Sequence, residues 1–65
     1  MPSTQPVKIT AELTDAEAMA FAQFLKRSSW SDYRTNAIDD TEAYRMIDAG
    51  GKIREALAEA GYAPR

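Results

Sequence analysis

Apolar and polar residues alternate strictly over residues 7–13, VKITAEL. The apolar residues that would share one side of an extended chain are Val7, Ile9, Ala11 and Leu13. A period of two predicts a half-buried β-strand. Because no second segment alternates as well, and unpaired backbone groups are costly, we expect this strand to pair with the same strand of a second copy. The alternative is an extended segment that lies on a pair of helices.

A helical pattern begins after this segment. Thr14 and Glu17 have the spacing of a capping box, in which each side chain bonds the amide of the other residue. The apolar stripe at helical spacing comprises Ala18, Phe21, Ala22 and Leu25. Ala20 and Phe24 widen the stripe beyond what one packing partner needs, which favours a helix held between its own chain and a second subunit.

A short second helix is predicted after a serine-rich break in the pattern. Either Ser29 or Ser31 can serve as its N-cap. The helix would run for about two turns and end near Ala37 or Ile38.

The last helix begins after Asp39, which stands three residues before Glu42 in a second capping arrangement. Its apolar and small residues recur at alternating spacings of three and four, as in a short heptad seam: Ala43, Met46, Gly50, Ile53, Leu57 and Ala60. Gly50 and Gly51 indicate either a kink or a close approach by a neighbouring group. The unbroken periodicity favours a continuous helix with close packing.

The end of this helix is predicted at Gly61, in the left-handed conformation, with Tyr62 folded back on Leu57. The predicted fold class is therefore mainly α, with one short N-terminal β-strand followed by two to three helices. We expect the strand to be paired across a homodimer. Residues 1–6 are interpreted as a disordered N-terminal lead, and residues 7–65 as a single small helical domain.

Composition limits both stability and chemistry. The chain has 65 residues, no Cys, no His and a formal net charge of −2. This composition excludes disulfides and zinc sites built on Cys or His, so very good helix packing or oligomerisation is the remaining support for so small a domain. The sequence has neither a long apolar run nor a signal-peptide pattern, and we expect a cytoplasmic protein.

Candidate catalytic and metal-binding residues are few. Most nucleophile–base pairs require His or Cys, so we expect no enzyme and no cofactor. Asp39, Asp40 and Glu42 could hold a divalent cation. Helix capping explains the same carboxylates, and we predict no metal site.

The middle of the chain, residues 31–48, carries two arginines and five acidic residues. Tryptophan, tyrosine and arginine dominate protein interfaces, and an excess of acid suits a basic partner surface. The alternatives are an ordinary solvated surface and, for Trp30, a plug in the core at the helix junction. The candidate partner-binding residues are Trp30, Tyr33, Arg34, Asp39, Asp40, Glu42 and Tyr44.

The order strand, helix, helix resembles the ribbon–helix–helix repressors over residues 7–48. That resemblance implies a dimeric DNA-binding transcriptional regulator in which Lys8 and Thr10 meet bases in the major groove. Glu12 suits a neighbouring phosphate poorly, and the stretch SSWSDYR departs from the basic, capped start of that family's second helix. DNA binding is therefore the alternative function.

The whole chain, from KITAELTDAEAMAFAQFLKR through SDYR and DDTEAYRM to KIREALAEAGYAPR, resembles a family of very short proteins of unknown function. That family is carried by phages and prophages of proteobacteria. The resemblance implies an accessory protein that binds and blocks a host protein, including host defence complexes such as CRISPR effectors. The function predicted first is therefore a non-enzymatic protein–protein interaction module, in a homodimer, acting as an inhibitor of host defence.

Overall fold

The computed structural model describes residues 5–64. Its helices are α1, Asp15–Arg27; α2, Trp30–Thr35; and α3, Asp40–Glu59. Both shorter helices pack against α3, which is the element that holds the fold together. Of the predicted lead, residues 1–4 lie outside the described part of the chain. No helix within the described residues has the length and hydropathy needed to cross a membrane.

The predicted N-terminal β-strand is wrong. Residues 7–13 are extended, but between residues 5 and 64 there is no strand, and so no ladder that this segment could join. Without a strand, the predicted strand pairing across a homodimer is also wrong. The alternation has another cause, because Ile9, Ala11 and Leu13 all line a hollow whose other walls are α1 and α3. An extended segment with one side over an apolar helix pair has the same period of two as a strand.

Side chains close the N-termini of α1 and α3 as the capping patterns predict. In α1, the amide of Glu17 donates to Thr14 Oγ1 at 3.1 Å, and the amide of Thr14 donates to Glu17 Oε1 at 2.9 Å. In α3, the amide of Glu42 donates to Asp39 Oδ1 at 2.8 Å. The Glu42 carboxylate in turn accepts from the amide of Ile38 at 3.0 Å. These bonds satisfy amides that have no partner inside the helix.

α2 is shorter than predicted, because it ends at Thr35 and not near Ala37 or Ile38. The Asn36 side-chain amide donates to the carbonyl oxygen of Asp32 at 2.8 Å. That bond replaces the backbone bond through which another turn of helix would have satisfied the same carbonyl. The chain is then free to turn toward α3.

The core is small and consists largely of alanine. Its buried apolar residues, among those described, are Ala18, Ala22, Leu25, Ala43 and Leu57. Ile53 and Tyr62 pack against the part of the core between α1 and α3. Phe21, which the sequence pattern places on the buried stripe, is 42% exposed. Small side chains let α1 lie close to α3, and the phenyl ring of Phe21 stays at the edge of their contact.

α3 continues unbroken through Gly50 and Gly51. A Cβ atom built on Gly50 would lie 2.8 Å from the hydroxyl oxygen of Tyr33 and 3.5 Å from Leu25 Cδ2. A Cβ atom built on Gly51 would meet nothing within 4 Å. The predicted close approach is confirmed at Gly50, where the missing side chain leaves room for the ring that docks α2.

A Schellman motif ends α3 where the sequence predicts. Gly61 has a φ of 103°. The amide of Tyr62 donates to the carbonyl oxygen of Leu57 at 2.8 Å, and the amide of Gly61 donates to that of Ala58 at 3.0 Å. Because Tyr62 also packs against the core, its predicted return toward Leu57 is confirmed.

Candidate protein-binding surfaces

Trp30 and Tyr44 form an exposed pair of rings at the junction of α2 and α3, here called the aromatic pair. Their ring centroids are 4.9 Å apart and their planes are tilted by 40°. Trp30 is 43% exposed and Tyr44 is 60% exposed. Trp30 therefore covers the junction from outside and is not among the buried core residues.

An ion pair beside the aromatic pair fixes α2 to the start of α3. Arg34 Nε donates to Asp40 Oδ1 at 2.7 Å, and Arg34 Nη1 donates to the carbonyl oxygen of Ala37 at 3.0 Å. Asp40 and Tyr44 are four residues apart on α3, so they lie on the same face of the helix. The structure thus brings together four of the seven predicted partner-binding residues: Trp30, Arg34, Asp40 and Tyr44.

The other three predicted residues lie elsewhere. Glu42 is two residues from Tyr44, which places it about 200° away around the axis of α3. Asp39 is occupied as the N-cap of α3. Tyr33 is half-buried, with its ring against Gly50. The sequence grouped these residues by closeness along the chain, and the helical rotation separates them.

Capping also accounts for a further carboxylate of the acidic middle segment. The backbone amide of Ser29 donates to Asp32 Oδ2 at 2.8 Å, and the Ser29 hydroxyl donates to the same oxygen at 3.0 Å. These two hydrogen bonds lower the pKa of Asp32. Within residues 5–64, no three carboxylates are grouped in a way that could hold a metal ion.

A second surface lies on the other side of α3 from Tyr44. We call it the apolar face, and its residues are Ile9, Leu13, Ala20, Phe21, Phe24 and Ile53. Phe21 and Phe24 stack one turn apart on α1, with ring centroids separated by 5.6 Å and planes 23° apart. Phe24 is 57% exposed and Ile9 is 74% exposed.

The apolar face joins two open hollows. Both hollows share Ala20, Phe21, Phe24 and Ile53. One continues under the N-terminal segment, and the other, of about 860 Å³, continues between α1, α2 and α3 past Met46. The candidate site residues chosen from sequence omitted this face. The available signal was the excess width of the apolar stripe on α1.

The residues of the DNA-binding alternative lie in the extended segment. Lys8 and Thr10 are exposed there, on either side of Ile9. The ribbon of two paired strands on which that alternative depends has no counterpart in residues 5–64. DNA binding stays a prediction, and a gel shift at low salt tests it.

One comparison with known proteins places the chain in a family. The model of a family of unknown function, DUF7706, matches residues 1–65. The chain belongs to this family. Membership confirms the prediction of a family of unknown function, whereas the phage origin stays a prediction. No curated protein and no solved structure matches the chain.

Proposed function

We propose that this member of the DUF7706 family is a non-enzymatic protein–protein interaction module. The observation that carries the proposal is the exposure of large apolar side chains on both sides of α3. Phe21 and Phe24 lie on one side, and Trp30 and Tyr44 lie on the other. Contiguous exposed apolar patches often mark sites of interaction.

The size of the exposed aromatic surface supports a macromolecular partner. With 42% and 57% exposure, Phe21 and Phe24 together leave roughly 200 Å² of surface in water. Covering that area contributes about 5 kcal/mol at 25 cal/mol per Å². Association costs on the order of 4–15 kcal/mol, so the two rings need the rest of the apolar face, including Ile9 and Leu13, to hold a partner.

A small-molecule site is less well supported by the same surface. Small ligands bind in concave sites that enclose most of the ligand and supply a few convergent polar groups. The hollow beneath the N-terminal segment is lined by apolar side chains apart from Glu17. The larger hollow also carries polar side chains, among them Arg27, Asp32 and Asn36, but both hollows are open and would not enclose a small ligand. Such an open surface fits the side of another protein.

The wider role rests on the sequence resemblance. We propose that the partner of the aromatic pair is a host protein, and that the protein acts as a phage or prophage accessory factor that inhibits host defence. The aromatic pair supports this role because Trp and Tyr are enriched at binding hot spots. Arg34 and Asp40 join α2 to the start of α3, the two helices that carry the rings, which reduces the ordering cost of binding.

Substitutions on each surface test the proposal. Affinity capture from host lysate is compared for the wild type, Tyr44→Ala and Phe24→Glu, with Met19→Glu as the control. Met19 is 38% exposed on α1 and contributes to neither hollow. We expect a protein that the wild type and the control retain and that Tyr44→Ala or Phe24→Glu loses. Identical recovery by all four chains contradicts the proposal.

A further inference from the structure

Among residues 5–64, no segment buries the apolar face, where Ile9 is 74% and Phe24 is 57% exposed. Three of the five buried apolar residues are alanines, and no large side chain among the described residues is fully buried. The chain has no Cys and no His with which to add a disulfide or a zinc site. So small a core ordinarily needs a further source of buried area. A second copy of the same chain is one partner that could supply this buried area.

The accessible surface is also large for the mass. The chain exposes 5588 Å², whereas about 4100 Å² is typical of a folded monomer of 7.2 kDa. The extended N-terminal segment contributes to the difference, since Val7 and Ile9 are mostly exposed. Each partner in a standard interface buries about 800 Å². The exposed surface around Ile9, Leu13 and Phe24 is the part of this area that a second copy could cover.

The arrangement of charge along α1 identifies the occupant. Glu17 and Arg27 border the apolar face at opposite ends. Ten residues separate them, which corresponds to about 15 Å along a helix. Ala20, Phe21 and Phe24 lie between them on the same side of α1. On α1, one end of the face is therefore acidic, the other is basic, and the centre is uncharged. Asp32 of α2 also lines the hollow that Arg27 borders, where its carboxylate accepts from the amide of Ser29.

This order is complementary to itself under a twofold rotation. With the axis at the level of residue 22 and the two copies of α1 antiparallel, Glu17 meets Arg27 of the partner subunit. In the same register, Ala20 meets Phe24 of the partner subunit. A small side chain thus receives a large one, and opposite charges meet at both ends. A twofold interface requires each patch to fit its own copy, and in this register α1 meets that requirement both in charge and in side-chain size.

We propose that a second copy of this chain covers the apolar face, in a twofold dimer that packs α1 antiparallel against its counterpart. This inference rests on the proposed function, because it names what binds to one of the two interaction surfaces. The dimer uses helix packing and no paired strands. It leaves the aromatic pair on the far side of α3, where a different protein could still reach it.

Charge substitutions test the register with the full chain. Arg27→Glu sets like charges against each other at both ends of the interface, and we expect the dimer to dissociate about tenfold more readily. Glu17→Lys does the same with the opposite sign. When the Arg27→Glu and Glu17→Lys variants are mixed, opposite charges again meet at both ends of the interface. We therefore expect a heterodimer of near wild-type affinity. The matched control is Lys26→Glu, which changes the same charge one residue away from the face.

Sedimentation at micromolar concentrations measures the mass of each chain in solution. Circular dichroism shows whether each variant remains helical. Glu17 also belongs to the cap of α1, so rescue in the mixture separates the interface from helix stability. A wild-type monomer, an effect of Lys26→Glu equal to that of Arg27→Glu, or an absence of rescue overturns the dimer. A folded monomer whose capture of a host protein still depends on Tyr44 overturns the dimer alone and leaves the proposed function standing.

Discussion

The hydroxyl oxygen of Tyr33 lies 2.8 Å from the position that a Cβ atom on Gly50 would occupy. This contact joins α2 to the middle of α3 and explains why a glycine stands inside a 20-residue helix. The neighbouring Gly51 has open space around its Cβ position. The two glycines, adjacent in sequence, therefore have different consequences for stability.

We expect Gly51→Ala to raise the free energy of unfolding by about 1 kcal/mol, because alanine favours a helix over glycine by that amount. Gly50→Ala should gain less or lose stability, because the Tyr33 hydroxyl must move. Urea denaturation at one fixed protein concentration measures both. Adding Tyr33→Phe to Gly50→Ala removes the crowding oxygen and should restore part of the gain. Equal stabilisation by the two alanine variants would contradict this interpretation.

Gly61→Ala should lower the free energy of unfolding by roughly 1–2 kcal/mol. The φ of Gly61 is 103°, in the left-handed region where a Cβ atom is unfavourable. Thermal unfolding compared with that of Gly51→Ala is the check, because the same chemical change is expected to act in opposite directions at the two sites. An unchanged melting temperature would show that the Schellman end is dispensable.

The hydroxyl of Tyr62 donates a hydrogen bond to Asp15 and so links the end of α3 to the start of α1. This bond raises the pKa of Tyr62, since it stabilises the protonated phenol beside a carboxylate. A raised pKa in the folded state contributes stability below the unfolded value of about 10, and this stability is lost as the pH rises through the folded value. Tyr62→Phe should remove that loss.

Denaturation of the wild type and of Tyr62→Phe between neutral and alkaline pH measures the effect, and tyrosinate absorbance follows the titration. The other tyrosines serve as internal references in both chains. If the two chains lose stability in parallel at alkaline pH, the bond to Asp15 does not contribute as described.

Tyr44→Ala should expose Trp30 and shift its fluorescence emission to the red. Trp30 is the only tryptophan, so the signal reports the α2–α3 junction alone. Loss of the ring contact should also lower stability by about 0.5–1.5 kcal/mol. Tyr44→Phe keeps the ring and is the control. Emission that is identical in Tyr44→Ala and the wild type would show that the rings do not remain together in solution.

Local chemistry explains which predictions the structure confirms. The cap of α1 needs only Thr14 and Glu17, three residues apart, and the end of α3 needs only Gly61 and its nearest neighbours. Such interactions depend on backbone geometry within one turn, which is the same in any chain that forms a helix there. Sequence patterns of this range therefore located the start of α1 and the end of α3, although not the end of α2.

The N-terminal segment shows the limit of the same method. Ile9 and Leu13 line the hollow beside α1 and α3, but they are 74% and 50% exposed, so the half-burial that the alternation predicts is not reached. The alternation also does not distinguish a strand from an extended segment on helices, because both have a period of two. Likewise, Asp40 and Glu42 are near neighbours in sequence, but α3 turns one toward the aromatic pair and the other away from it.

The sequence by itself determined α1 and α3 with their N-terminal caps, a short helix between them, the left-handed glycine and the absence of disulfides. These features follow from residue types and from interactions within a few positions. Only the tertiary structure decided that residues 7–13 form no strand, that Phe21 remains exposed and that Tyr33 packs on Gly50. Each of these outcomes depends on contacts with residues that are distant in sequence. A small alanine-rich core also leaves large side chains at its edges rather than inside.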